Sequence, residues 1–274
     1  MINSLSISDL LSYSTIRIKC DTGTGTGFFF HFCKTGNLAC PAIVTNKHVI
    51  EGASVCTLIF TLADAQGRPI NTIHHRVDIP DIQLAWKFHP DDSVDLCAMP
   101  IATIIKILQS KGINPFYVPF DNSFIPNDLQ RGELNSLEEI VMIGYPDGLW
   151  DSVNNKPIFR KGITATHANI DYEGKKEFLI DAACFPGSSG SPVVIYNEFG
   201  YHDGKQFKLG IRRLLLIGIL YAGPQHVVVG NTRVIEQAKK TISVSNIPNN
   251  LGCVIKSERL SYFDELFTKE LAQI

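Results

Sequence analysis

The chain has 274 residues, 45% of them hydrophobic and 19% charged, with 25 basic against 27 acidic side chains and a formal net charge of −2. That balance supplies enough apolar surface to offset chain entropy, which excludes a disordered chain. No polybasic run is present, so no nucleic acid and no membrane surface is expected as a partner.

Met1 to Ser14 lacks the basic stretch and apolar core of a secretory signal. Short apolar or alternating runs broken by turn residues then dominate, the pattern of β structure. The first series of expected strands is Thr15–Cys20, Gly27–Phe32, Ala42–Thr45, Val55–Thr61, Ile73–Asp78, Leu84–Phe88 and Leu96–Pro100, with a hairpin tip at Gly67–Pro69. A mixed segment with Pro115, Pro119 and Pro126 runs from Ile101 to Leu137. A structureless connection that long is unusual inside one compact domain, and a linker joining two β units accounts for it. The second series is Glu139–Ile143, Gly162–Asn169, Phe178–Ala182, Pro192–Tyr196, Leu214–Tyr221 and Val227–Asn231, with a tip at Gly200–Gly204. The most apolar run, Leu214 to Ala222, is under half the length needed to span a bilayer. Leu260, Phe263, Leu266, Phe267 and Leu271 fall on one helical face, which predicts a helix over Lys256–Leu271 packed against the second β unit. The cysteines are odd in number and form no C-x-x-C pair, which with no export signal points to reduced thiols in a cytoplasmic protein.

The segment Phe185-Pro186-Gly187-Ser188-Ser189-Gly190-Ser191-Pro192-Val193 lies between two apolar strands and needs a tight, glycine-permitted turn. Such a turn can lift Ser189 clear of the sheet and aim the backbone N–H groups of Gly187 and Ser189 at one point. A developing oxyanion needs that arrangement, and one lost donor costs about 3 kcal/mol of transition-state stabilisation. Read without chemistry, the segment is a Gly/Ser-rich hairpin. Ser189 is preferred because Gly190 leaves room for substrate backbone, whereas Ser188 and Ser191 read as turn residues whose hydroxyls bond locally. A serine hydroxyl needs an adjacent base. Of eight histidines, His48 stands where the apolar strand Ala42–Thr45 gives way to a short turn and can project into a cleft. Asp95, at the start of an apolar strand, is the best orienting carboxylate, with Asp91 and Asp92 as alternatives in a more polar loop.

The segments TNKHVIEGA, DLCAM and PGSSGSPVV resemble the three signature segments of trypsin-like peptidases, nearer the bacterial HtrA-type branch than the digestive enzymes. The order His, Asp, Ser and the intervals of 47 and 94 residues between them agree with that family's template, whose intervals are roughly 45 and 93. GTGTGFFF, IVMIGYPDG and LIGILYAG extend the resemblance over about residues 15–256. The resemblance implies an all-β fold: two six-stranded antiparallel β-barrels with a C-terminal α-helix. It divides the chain into residues 1–120, with His48 and Asp95, and residues 121–274, with Ser189. It implies a serine endopeptidase acting on a protein or peptide substrate through an acyl-enzyme, with Gly187 and Ser189 as oxyanion donors and no metal or organic cofactor. Tyr221, Ala222 and Gly223 would line the substrate cleft. Ala183, at the family's pocket-floor position, carries no carboxylate, so a small or medium apolar residue is expected at the cleavage site.

The chain departs from the family in three respects. Ser188 stands where digestive members carry the aspartate that receives a new N-terminus, so activation by N-terminal cleavage is not expected. The HtrA-type branch usually has Asn there. The cysteines do not match the family's disulfide positions, and only about 18 residues follow Lys256, too few for a PDZ domain. A cytoplasmic peptidase needs restraint, and either a regulatory protein partner or a disordered oxyanion loop is expected to supply it. The competing readings are a pseudoprotease that binds a peptide by strand addition and an esterase of similar mechanism.

Overall fold

The computed structural model describes residues 5–223, 225–231, 242–248 and 250–273. Helix α1 (Ile7–Leu11) opens the described chain, capped reciprocally by Ser6 and Asp9. Strands β1 (Thr15–Cys20), β2 (Thr24–Thr35) and β3 (Leu38–Thr45), helix α2 (Lys47–Ile50), and strands β4 (Val55–Ala63) and β5 (Pro69–Pro80) follow. Next come α3 (Ile82–Ala85), β6 (Lys87–Phe88), β7 (Cys97–Pro100), α4 (Ala102–Ser110), β8 (Pro115–Phe116), β9 (Phe120–Asp121) and α5 (Asp128–Gly132). The second half contains β10 (Glu139–Gly144), β11 (Ile158–Thr164), β12 (Glu177–Asp181), β13 (Pro192–Asn197), β14 (Gly200–His202), β15 (Phe207–Leu209) and β16 (Arg213–Ala222). Strands β17 (Gln225–Asn231), β18 (Ile242–Pro248) and β19 (Leu251–Lys256) lead to α6 (Ser261–Leu271).

The first series forms a nine-stranded sheet in the order β5-β4-β1-β2-β3-β7-β6, with β8 added to β4 and β9 added to β2. The second closes into a barrel, β10-β11-β12-β19-β16-β13. The expected linker is therefore not structureless. Its two short strands pair with the first unit, β8 with β4 and β9, in parallel, with β2.

The run GFFFHF shows why the first unit is packed on both faces. Phe28, Phe30 and Phe32 point to one face of β2 and Phe29 to the other, as the two-residue period requires, and all four are at most 3% exposed. A fully buried Phe contributes about 1.5–3 kcal/mol relative to an exposed one. Phe29 packs into the core of the first unit with Phe60. Phe32 meets Phe263 and Phe267 of α6, at ring-centroid distances of 6.0 and 5.3 Å.

Those contacts correct the expected seat of the C-terminal helix. Rather than lying on the second unit alone, α6 docks on β2, where Asp264 accepts from the Cys33 N–H at 2.7 Å. Its start also shifts. Lys256 ends β19, and a single 3₁₀ turn, Ser257–Leu260, precedes the helix. Leu260, Phe263 and Phe267 are buried as the periodicity requires, while Leu271 is exposed. The strand expected at Leu84–Phe88 is instead α3 followed by the two-residue β6, and Leu84 is exposed. The strand expected at Gly162–Asn169 starts earlier and ends at Thr164.

The two units interlock. Tyr145, fully buried, reaches the Thr15 carbonyl at 3.4 Å. Asn155 Nδ2 donates to Ile59 O and Thr61 Oγ1, both at 3.1 Å, and Lys156 Nζ donates to Ser12 Oγ at 2.9 Å. Among the described residues, no helix is long and apolar enough to cross a membrane.

Candidate active site

Strand β3 buries Ala42, Ile43 and Val44 and ends at Thr45, which delivers Asn46 to the turn. Pairing of β3 with β7 sets Thr45 opposite Cys97 and so brings Asp95 alongside that turn. Asn46 Nδ2 donates to Asp95 O at 2.7 Å. His48, exposed on α2, donates its backbone N–H to Asp95 Oδ1 at 3.1 Å, and its Nδ1 lies 2.5 Å from Asp95 Oδ2. With Nδ1 engaged, Nε2 is the ring nitrogen left for proton transfer. Among the described residues, neither alternative is hydrogen-bonded to the ring. The Asp91 carboxylate accepts from Ser93 N and Oγ, and Asp92 lines a cleft of about 490 Å³ together with His48, Glu51, Gln83 and Phe88.

The turn that carries Ser189 joins β12 to β13, and two glycines are obligatory in it. Gly187 has φ +84°, and a Cβ there would fall 2.6 Å from the Tyr145 carbonyl. Gly190 has φ +88°, and a Cβ there would fall 1.9 Å from the Thr26 carbonyl. The Pro186 carbonyl accepts from Asp147 N at 2.5 Å. Because the peptide is trans and planar, the Gly187 N–H then points to the opposite side. Neither that N–H nor the N–H of Ser189 has an acceptor among the described residues. Ser189 Oγ donates to the Tyr221 carbonyl at 3.4 Å, and among the described residues no hydrogen bond joins it to His48. The hydroxyls of Ser188 and Ser191, expected to bond locally, are instead buried with no hydrogen-bond partner among the described residues.

A residue that carries no sequence motif holds this turn. Thr26, fully buried on β2, donates from Oγ1 to Gly187 O at 2.9 Å and accepts there from Tyr145 N at 3.1 Å. Its backbone N–H donates to Ser189 O at 2.8 Å, and its carbonyl accepts from Thr45 Oγ1 at 2.7 Å. One residue of the first unit, through its hydroxyl and its backbone, thus ties the turn of the second to Thr45 at the end of β3, three residues before His48. Its place in the glycine-rich strand GTGTGFFF is the only sequence signal that could have found it.

The expected cleft residues lie around the same turn. Tyr221 and Ala222 end β16, the half-buried Ala183 follows β12, and Gly223 is exposed. Tyr221 directs its side chain to Glu177, to which Oη donates at 2.9 Å, and burial together with that carboxylate pushes its phenol pKa up. Cys184 was not anticipated. It is buried, and a Cβ on Gly223 would sit 3.4 Å from the Cys184 Cβ, so the two walls stand close together. Among the described residues, no group of three or more His, Cys, Asp or Glu could hold a metal ion.

The trypsin-like peptidase domain matches residues 25–198, a span that includes His48, Asp95 and Ser189. The chain belongs to the trypsin-like peptidase family. No curated protein matches it. Among solved structures, it is similar to a serine-to-alanine mutant of Rv3671c from M. tuberculosis H37Rv in the inactive form, with 15% identity, 91% of this chain and 84% of that chain covered, and a TM-score of 0.44. The inactive form of the Rv3671c protease gives 14% identity, 95% and 91% coverage and a TM-score of 0.43. A human pathogenic astrovirus serine protease gives 11% identity, 89% and 90% coverage and a TM-score of 0.43. The closed barrel and the larger sheet are the two β units of this trypsin-like family member.

Proposed function

We propose that this trypsin-like family member is a serine endopeptidase in which Ser189 is the nucleophile, His48 the general base and Asp95 the carboxylate that orients it. The observation that carries this reading is the pairing of His48 Nδ1 with Asp95 Oδ2 at 2.5 Å. His48 takes the Ser189 proton through Nε2, and Ser189 Oγ attacks the peptide carbonyl. The N–H groups of Gly187 and Ser189 receive the oxyanion. The imidazolium protonates the leaving amine, then the ring activates water to release the acyl group. Catalytic hydrogen bonds often tighten only once substrate is bound, so a Ser189 hydroxyl resting on the Tyr221 carbonyl is compatible with this chemistry.

A small or medium apolar residue at the cleavage site is part of the reading, supported by Ala183 and by the approach of Cys184 to Gly223. A fluorogenic peptide library showing an Arg or Lys preference would contradict it. A cytoplasmic setting and a restraining protein partner are also proposed; the seven free cysteines fit a reducing compartment.

The hydrogen bond from Ser189 to Tyr221 favours a second reading, a non-catalytic peptide-binding module. A fluorophosphonate probe separates the two. Labelling of the wild type that is lost in Ser189→Ala supports the peptidase, and an unlabelled wild type that still binds peptides supports the module.

A further inference from the structure

Strands β1 and β4 run antiparallel with Cys20 opposite Cys56. Backbone hydrogen bonds establish what kind of pair this is. The Cys20 N–H turns away from β4 and donates to Gly23 O at 2.8 Å, while Asp21 N donates to Val55 O at 3.3 Å. Hydrogen-bonded and non-hydrogen-bonded pairs alternate along an antiparallel ladder, so Cys20 and Cys56 are a non-hydrogen-bonded pair. At such a pair the Cα atoms stand about 4.5 Å apart and the side chains leave the same face. A disulfide bridges Cα separations of about 4.4–6.8 Å. Both thiols are buried in one apolar cluster, Cys20 at 6% and Cys56 at 0% exposure. Cys20 also ends its strand beside the exposed turn 21–23, a path for a small oxidant.

We propose that Cys20 and Cys56 are a redox-active dithiol that a peroxide closes into a cross-strand disulfide. Cys20 ends its strand beside the exposed turn whereas Cys56 is fully buried, and the neighbouring Cys56 holds the Cys20 pKa down, so Cys20 is the attacking sulfur. The Cys20 thiolate attacks a peroxide oxygen, the O–O bond breaks, and a sulfenic acid and one water form. The Cys56 sulfur then attacks the sulfenic sulfur and expels a second water. Two thiols lose two protons and two electrons, and hydrogen peroxide is reduced to two waters. The bridge closes a loop over residues 21–55, which holds β2, β3 and α2 and therefore Thr26 and His48. It also takes the Cys20 sulfur from the Val49 carbonyl, to which it donates at 3.4 Å, one residue beyond His48. The pairing follows from the register of β1 and β4 and stands whether or not Ser189 is acylated.

Hydrogen peroxide titration of the purified wild-type chain tests this. Residual thiols are blocked with N-ethylmaleimide under denaturation, and the chain is digested with pepsin without reductant. The expected result is that a peptide linking Cys20 to Cys56 is the first cross-link to appear. Two of the seven thiols escape alkylation, dithiothreitol restores them, and Tm rises by about 5–10 °C because the bridge constrains the unfolded chain. Cys56→Ser abolishes the linked peptide, but the wild-type map decides the question even where that variant fails to fold. A first cross-link between other cysteines, over-oxidation of Cys20 without a link, or an unchanged or lower Tm of the linked chain would each overturn the proposal.

Discussion

His48 and Asp95 find each other within one unit, whereas the turn that carries Ser189 is held in place by the other. In the first pair His48 is exposed at the cleft and Asp95 is half-buried, 45% and 22% by side chain, and the two are joined by contacts that β3 and β7 bring together on their own. The Ser189 turn is mostly buried, and its Gly187 and Ser189 carbonyls both accept from Thr26 across the interface. The His48–Asp95 side is thus a local construction, and the Ser189 side depends on how the two units dock.

Substitutions within the proposed triad should give the largest effects. Ser189→Ala should lower turnover on the order of 10⁶-fold, and Asp95→Asn about 10⁴-fold by disturbing the tautomer and orientation of His48. Asp91→Asn and Asp92→Asn should change kcat less than about tenfold, since among the described residues neither carboxylate is hydrogen-bonded to the ring. Comparable losses at Asp91 or Asp92 would show that the His48 side is not the local pair described above.

Next comes a stability effect that should leave the comparison intact. Arg213 and Glu138 form an ion pair with side chains 6% and 5% exposed, and Arg213 Nε also donates to Asn197 Oδ1 at 2.9 Å. Arg213→Met leaves a buried carboxylate uncompensated and should cost about 3–5 kcal/mol. Urea unfolding should register that loss while kcat of the folded fraction stays near the wild-type value. A fall in kcat would mean that the barrel interior, and not only the interface, sets the Ser189 turn.

Thr26→Val tests the interface directly. It keeps the shape of the side chain but leaves Gly187 O and Tyr145 N without their partner, at about 1–3 kcal/mol for each buried group. The expected outcome is a kcat lowered about 10- to 100-fold, KM little changed, and most of the rate restored in Thr26→Ser. A loss confined to Tm, with kcat intact, would reduce Thr26 to a packing role.

The same contrast governs what could be read from the sequence. His48, Asp95 and Ser189 could be picked out as candidates because each stands in a turn that borders an apolar strand, His48 and Ser189 beside distinctive local motifs and Asp95 just ahead of β7. β1 was legible to its bounds, Thr15–Cys20, because its burial alternates cleanly at its inner end. Thr26 was not, since a hydroxyl that crosses between units leaves no periodicity. Strand β19 was missed because Gly252 interrupts its pattern and Lys256, which closes it, is buried against Asp171 at 2.6 Å, an ion pair sequence alone does not announce. The seat of α6 was misjudged for a related reason. Its apolar face was correctly found, but β2 carries phenylalanines on both faces, and the helix goes where Phe32 stands uncovered by the sheet.

The smallest effect concerns a second crossing of the interface, away from the Ser189 turn. Burial lowers the Lys156 pKa to about 8, although Ser12 Oγ and the Tyr13 ring lie against its ammonium. The folded-state value lies below the unfolded value of 10.5, so between about pH 8 and 10.5 the unfolded chain holds a proton that the folded chain has released. Stability therefore rises with pH across that window as the cost of a half-buried ammonium disappears. Tyr13 works in the opposite sense above its ordinary value of 10.0, because burial raises its pKa, so the comparison belongs between pH 8 and 10. Partial solvent exposure of Lys156 limits the gain to under about 1 kcal/mol. Tm measured in steps over that range should rise by about 1–3 °C more in the wild type than in Lys156→Met. The acylation rate of Ser189 by a fluorophosphonate should keep the same pH dependence in both proteins. A shifted acylation profile in Lys156→Met would mean that the two crossings are coupled and that the Ser189 turn senses the whole interface rather than Thr26 alone.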